Sequence, residues 1–236
     1  MSTPPARTPA SDPFSPGVQR LAASSGIVFA VLLIVTIALS SAETPDFDAP
    51  LREWTEYADD NEEKIRIAAL VMGVAAFEFL WFLGHVRSFL GRVEDGARGF
   101  TRLGYIVLAG GIVGIAGLAL GVFLGAAALS HGADSDPELV RGLNQMSGGA
   151  FGLVSVGFGT MLYTAAFTIL RLGGLPRWLG WLSLVGGLCF LLQLGTLLSE
   201  EYDNAFGVFY PLGFLALVVW CVVASLDFMR RVGDAD

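Results

Sequence analysis

The sequence predicts an all-α integral membrane protein, a bundle of six transmembrane helices with both termini in the cytoplasm. Three observations predict this fold class. Hydrophobic residues make up 54% of the 236 residues and charged residues only 15%, whereas soluble domains are typically about 25% charged. The apolar residues fall into six long runs, each long enough as a helix to cross a hydrocarbon core of roughly 30 Å. The segments between these runs alternate between basic and strongly acidic.

The N-terminal segment is polar and rich in proline. Residues 1–19 contain five prolines and few apolar side chains, so we expect a disordered cytoplasmic tail. The first apolar run ends at Ser40-Ser41-Ala42, which resembles a signal-peptidase site. Since the run exceeds the usual length of about 7–15 residues for a signal peptide, the sequence favours an uncleaved helix, with cleavage as the alternative.

The six transmembrane helices are expected within a single domain that spans residues 20–231, followed by a short tail at 232–236. Their approximate ranges are 21–42, 65–90, 103–130, 145–171, 178–199 and 206–229. The loop 43–63 carries nine carboxylates. Within it, Asp48 and Pro50 are suitable for the start of a short surface helix with Trp54 at headgroup level; a merely solvated loop is the alternative. Asp136 and Pro137 are typical of the N-cap and first residue of the fourth helix.

The distribution of cations predicts the orientation. With both termini in the cytoplasm, the inner segments contain ten of the fourteen Lys and Arg residues, and the outer segments contain Arg52, Lys64, Arg66 and Arg141. The positive-inside rule therefore favours this arrangement. Tyr105 and the tryptophans at 178 and 181 would then lie at the inner interface, where aromatic side chains are enriched.

Two stripes of small residues predict close helix packing. The helix-packing candidates are Gly110, Gly114, Gly117, Gly121 and Gly125 on the third helix, and Gly148, Gly152, Ser155 and Gly159 on the fourth. In lipid, small residues allow backbones to approach, and this replaces the hydrophobic driving force between helices. We expect the third and fourth helices to touch along their lengths; self-association through one stripe is the alternative.

Glu78 is the candidate centre of a buried polar site. It lies near the middle of the twenty, mostly apolar, residues between Arg66 and Arg87, and intramembrane carboxylates are functional candidates by default. A neutral carboxyl that donates one interhelical hydrogen bond is the structural alternative. The residues of matching depth, together with His85 on the same helix face, complete the candidate site: Thr160, Tyr163, Ser183, Trp220 and His85.

Several functional classes are excluded or disfavoured. The net charge of −8 argues against a nucleic-acid partner, because phosphates require a basic surface. With two cysteines, two histidines and no suitable spacing, we expect no metal site and no cofactor. We expect no enzyme, because no nucleophile is paired with a base; a membrane enzyme acting on lipid is a remote alternative.

Two segments resemble a known group of proteins. The motif LPRWLGW at 175–181 and the motif FLWFLGHVRSFL at 79–90 resemble uncharacterised multi-pass membrane proteins that are common in actinobacteria and carry a domain of unknown function. The resemblance extends loosely from Arg20 to about Leu198. It implies a protein of the bacterial cytoplasmic membrane, and it assigns no catalytic or binding residue.

The sequence leaves two functional hypotheses open. The first is proton-coupled transport or permeation of a small solute through a polar site at Glu78, in a protein that would act as a dimer. The second is a non-transporting structural or partner-binding membrane protein. The partners are then the lipid bilayer, a second copy of the chain or another membrane protein.

Overall fold

The computed structural model describes residues 16–40, 45, 49–96, 102–129, 136–198 and 206–233, and within them every regular element is a helix. The helices are α1 (Pro16–Leu39), α2 (Leu51–Gly96), α3 (Leu103–Ala128), α4 (Pro137–Leu172), α5 (Arg177–Gln193) and α6 (Phe209–Gly233), with a 3-10 helix at Leu194–Leu198. In this described part of the chain, all six α-helices are long and apolar enough to cross a membrane. The predicted fold class, an all-α membrane bundle, is confirmed.

The six helices form a closed ring in chain order. Each helix packs against the next one, α6 returns to α1, and α2 also contacts α4 across the bundle. The contact between α3 and α4 is the most extensive, and α4 is the helix whose membrane segment is most buried. α4 is therefore the central element of the bundle.

Two helices extend well beyond the apolar runs that predicted them. α2 begins at Leu51 rather than at 65, and its 46 residues form a rod about 69 Å long. α4 begins at Pro137 rather than at 145, with the Asp136 side chain accepting a hydrogen bond from the Glu138 backbone N–H, which is the N-cap that the sequence predicts. Since a bilayer core is only about 30 Å thick, both helices project from the membrane at the same end.

The other boundaries differ by smaller amounts. α1 begins at Pro16, so residues 16–19, which were expected to be disordered, are helical. Proline is compatible with this position because its fixed φ suits the first turn of a helix. α5 ends at Gln193 and continues as the 3-10 helix to Leu198. The last turns of the predicted fifth helix therefore have 3-10 geometry, which is more tightly wound than an α-helix. α6 extends to Gly233, into the expected tail.

The projecting parts of α2 and α4 form what we call the helical extension, defined as residues 51–66 of α2 with the first two turns of α4. Trp54 is only 2% exposed, and it packs in a cluster of its own. The buried members of that cluster are Trp54, Ala58, Ile65, Ala128, Leu129 and Val140. The segment is therefore neither a solvated loop nor a separate surface helix, and Trp54 does not lie free at headgroup level. The proposed cap Asp48 lies outside the described residues.

Charged side chains cover the opposite face of the helical extension. Two ion pairs at i, i+4 spacing, Arg52 to Glu56 at 2.8 Å and Arg66 to Glu62 at 3.0 Å, lie along this face. The hydrogen bond to Glu56 also raises the pKa of Arg52. On the inner face, burial raises the pKa of the Tyr57 hydroxyl. The extension is thus an amphipathic helix with one face held against α3 and α4.

The glycine stripe of α3 lies against α4. A Cβ added at Gly110 would lie 2.8 Å from the Gly157 carbonyl oxygen, and one added at Gly117 would lie 2.9 Å from the Val154 backbone nitrogen. A Cβ added at Gly157 would overlap the backbone of Gly114. The two backbones are therefore in direct contact, which only glycine permits at these positions.

The contacting face of α4 differs from the one that the sequence suggested. Gly157, which meets the backbone of Gly110 and Gly114, falls outside the predicted stripe. Ser155 and Gly159 face α5 instead: the Ser155 hydroxyl bonds to Gln193, and a Cβ at Gly159 would lie 3.4 Å from the Gly187 carbonyl oxygen. Gly148 and Gly152 are half-buried on α4. Ser155 and Gly159 of the predicted stripe thus meet α5, because spacing alone does not specify which helix a face meets.

Candidate functional site

The middle of the bundle is filled by interlocked aromatic rings. The Phe79 ring lies 4.4 Å from Phe29 of α1 and 5.7 Å from Phe158 of α4, measured between centroids. Phe158 in turn lies 5.6 Å from Phe190 of α5. The buried aromatic side chains of this core are Phe29, Phe79, Phe82, Phe89, Phe158, Phe190, Phe214, Trp220 and Phe228. Such rings bury large apolar areas and prefer the tilted and edge-on contacts that are seen here.

Glu78 lies at the edge of this core. It is half-buried, between Phe77, which is 57% exposed, and Phe79, which is fully buried. Its carboxylate therefore lies at the boundary between the lipid-facing and inward faces of α2. Among the residues that the structure describes, none forms a hydrogen bond or ion pair with it. The position is at membrane depth, as the sequence predicts, but the carboxylate is not enclosed by polar partners.

In the described part of the chain, no hydrogen bond joins Glu78 to the residues expected around it. Tyr163 is 48% exposed on the outside of α4, and Thr160 is half-buried. The buried Ser183 donates its hydroxyl proton to the Leu179 carbonyl of its own helix at 2.6 Å. Trp220 packs edge-on against Phe82, with a ring separation of 5.6 Å, and its indole nitrogen has no hydrogen-bond partner among the described residues. These four residues share a membrane depth with Glu78, but depth does not determine which way each side chain points around its helix axis.

His85 lies on the same flank of α2 as Glu78, about 10 Å further along the helix. It is half-buried, and its imidazole lies 4.8 Å from the Phe228 ring of α6. The ring is therefore anchored on α6. The same Phe228 ring lies 6.4 Å from the Phe82 ring, measured between centroids, so aromatic rings pack beside His85.

Two buried polar contacts were not identified from the sequence. The Ser155 hydroxyl on α4 donates to the Gln193 side-chain oxygen on α5 at 2.9 Å, and both residues are buried. The Ser147 hydroxyl donates to the Gly121 carbonyl of α3 at 2.8 Å. Both bonds connect helices inside the bundle, where an unmade hydrogen bond would be costly. Each bond includes one residue of the predicted small-residue stripes, Ser155 on α4 or Gly121 on α3.

The most buried carboxylate in the described residues is Glu94, which is 1% exposed. Its side chain accepts a hydrogen bond at 2.6 Å from the backbone N–H of Gly104, in the first turn of α3. The negative charge therefore lies at the positive end of the α3 dipole and supplies a cap from another helix. Nearby, the Arg87 guanidinium lies 3.8 Å above the Tyr105 ring. Nothing in the sequence indicates this role, since Glu94 belongs to the polar segment that follows the second apolar run.

Within the described part of the chain, no group of three His, Cys, Asp or Glu side chains is arranged to hold a metal ion. Comparisons with protein family models, with curated proteins and with solved structures found no match. The class of protein that the fold defines is therefore a six-helix membrane bundle, and its function has to be argued from its own residues.

Proposed function

We propose that the chain is a non-enzymatic multi-pass protein of a bacterial cytoplasmic membrane, which works by binding other membrane components and carries no solute across. The observation that supports this proposal is the packed aromatic core. A transport path needs polar groups or water at membrane depth, and the centre of this bundle is occupied by Phe79, Phe158 and their neighbours. Of the two functional hypotheses, this arrangement favours the non-transporting one.

The proposal includes the orientation with both termini in the cytoplasm. The ends of the helices that would then face inward carry Tyr105, Trp178 and Trp181, all of which are exposed, as expected for an interfacial aromatic belt. The helical extension would project outward with its acidic face in solvent. The resemblance to actinobacterial membrane proteins agrees with this location.

A flux measurement tests the absence of transport. The purified protein is placed in liposomes, a potential is applied with valinomycin and potassium, and proton entry is followed with a pH-sensitive dye. We expect the same rate for the wild-type chain, for the Glu78→Gln variant and for liposomes without protein. A proton flux that is present in the wild type and lost in Glu78→Gln would overturn the proposal.

Proton-coupled transport remains the second candidate, because Glu78 is a half-buried carboxylate at membrane depth without a hydrogen-bond partner among the described residues. Carbodiimide labelling distinguishes the two, since such reagents modify protonated carboxyls in apolar surroundings. Labelling at Glu78 that titrates near neutral pH in native membranes would indicate an exchanging proton and favour transport. The proposed function predicts no such titration.

Cysteine labelling tests the orientation. Cys189 and Cys221 are both buried, so the background reaction with a membrane-impermeant maleimide is expected to be low. We expect Asp60→Cys, on the exposed face of the helical extension, to react in intact cells. Arg177→Cys, at the start of α5, should react only after the cells are opened. The reverse pattern would invert the proposed topology.

A further inference from the structure

A large groove opens on the side of the bundle between α1, α2 and α6. Its volume is about 1040 Å³, which is within the upper range of small-molecule sites. It is open to the surroundings along the lipid-facing side of α2, where Phe77, Leu80 and Trp81 are exposed. The groove borders the aromatic core, because Phe89 and Phe228 of that core form part of its lining.

The lining changes in character along the groove. At the end near the bilayer centre it is apolar, with Phe77, Leu80 and Trp81. At the other end it is polar and cationic. The polar and charged lining residues are Gln19, His85, Ser88, Arg92 and Arg231. Among the residues that the structure describes, no Asp or Glu lines the groove, although the chain contains 22 acidic residues against 14 Lys and Arg.

One of the two arginines is held in a fixed position. The Arg231 Nε donates to Asp227 at 2.6 Å, a second guanidinium nitrogen donates to the Gly174 carbonyl, and the group lies 5.0 Å from the centre of the Phe89 ring. Arg92 is exposed near the end of α2. An arginine that is already ordered loses less conformational freedom when it binds an anion.

The length of the groove corresponds to one leaflet of a bilayer. From Phe77 to Val93, its wall on α2 rises about 24 Å. Half of a hydrocarbon core is about 15 Å and the headgroup region adds about 5–7 Å. An acyl chain that lies against Phe77 and Trp81 would therefore place its phosphate at the level of Arg92 and Arg231.

We infer that this groove binds an anionic phospholipid of the leaflet on the side of the chain termini, with its acyl chains on the aromatic wall and its phosphate at Arg92 and Arg231. The inference names the binding partner within the proposed function and rests on it, and the proposed orientation makes that leaflet the cytoplasmic one. Charge complementarity selects this occupant, since a phospholipid brings acyl chains for the apolar part of the groove and an anionic phosphate for Arg92 and Arg231.

The first experiment measures lipid preference and its dependence on Arg92. Phosphatidylglycerol and phosphatidylcholine are titrated into the full chain in detergent, and bound lipid is counted by native mass spectrometry. We expect phosphatidylglycerol to bind more tightly, and Arg92→Gln to weaken it about fivefold, the ratio expected for one arginine at an anionic surface. Arg177→Gln is the matched control, because it removes an exposed arginine at the same end of the bundle but outside the groove.

The second experiment fills the apolar part of the groove. Gly84 lines the groove, and a Cβ added there meets no atom within 4 Å, so Gly84→Phe should fold and occupy the space. Gly149→Phe is the control, because Gly149 on α4 has equally open surroundings and lies outside the groove. We expect Gly84→Phe to reduce bound phosphatidylglycerol at least as much as Arg92→Gln, and Gly149→Phe to leave it unchanged.

The outcomes separate this inference from the proposed function. Equal binding of the two lipids, or unchanged phosphatidylglycerol binding in both Arg92→Gln and Gly84→Phe, would mean ordinary boundary lipid and overturn the inference. Competition by inorganic phosphate alone would point to a free anion rather than a lipid and also overturn it. A dimer that dissociates with Gly84→Phe would assign the groove to a second copy. None of these results bears on the proton flux, which tests the proposed function independently.

Discussion

The α3–α4 contact and the helical extension are held together in different ways. Inside the membrane, α3 and α4 meet through glycines, with Gly114 and Gly157 in backbone contact. Outside it, the helical extension packs through Trp54, a large side chain that is almost fully buried. The two regions share one helix, since α4 takes part in both.

The difference reflects the solvent around each region. In lipid, burying an apolar side chain between helices gains little, because the lipid tails are equally apolar, so close backbone approach and interhelical hydrogen bonds provide the stabilisation. In water, burying a large apolar side chain is itself favourable. We therefore expect the membrane contact to fail when a side chain is added, and the helical extension to fail when one is removed.

The largest effect is expected from adding a side chain at the membrane contact. A Cβ at Gly157 would overlap backbone atoms of Gly114, so Gly157→Leu should cost more than the roughly 1–3 kcal/mol typical of overpacking, because backbone atoms must move. We expect little folded protein, measured as the monodisperse fraction after detergent extraction and as the thermal midpoint. Gly149→Leu is the control, and since its surroundings are open, it should behave like the wild type. Normal folding of Gly157→Leu would contradict the direct backbone contact between Gly157 and Gly114.

A smaller and more local effect is expected from removing the tryptophan of the helical extension. Trp54→Ala should destabilise the packing of that region by about 3 kcal/mol, as large-to-small changes at buried aromatic sites do. The membrane bundle should persist, because its core is a separate cluster. Hydrogen exchange should therefore accelerate in residues 51–66 and stay slow in the membrane part of α2. Equal acceleration throughout α2 would mean that the two regions form one cooperative unit.

The smallest effect is expected from the interhelical hydrogen bond. Ser155→Ala removes the donor to Gln193, and such bonds in membrane proteins contribute on average about 0.6 kcal/mol and at most about 1.7. A modest decrease in the thermal midpoint is therefore expected. Ser183→Ala serves as the comparison, because its hydroxyl bonds only within its own helix and should contribute less. A larger loss for Ser183→Ala would contradict this ranking.

The fold could be predicted from the sequence because membrane insertion depends on local composition. The apolar runs predict six helices, and Asp136 with Pro137 predicts the start of α4. The extent of α2 was not predictable in this way, since residues 51–64 are acidic and their helix is stabilised by contacts with Ala128 and Val140. A strongly charged segment carries no signal of such a distant apolar partner.

The candidate site depended on information that the sequence does not contain. Composition by itself determined the class of protein, the number of membrane helices and the depth of Glu78, because hydropathy and helix rise are local properties. Only the tertiary structure decided which way each helix faces. It placed Glu78 at the edge of an aromatic core, brought Gly157 against α3, buried Glu94 as a cap for α3, and formed the groove beside α2. These features depend on the rotation of helices about their axes, which is set by packing between segments that are far apart in the chain.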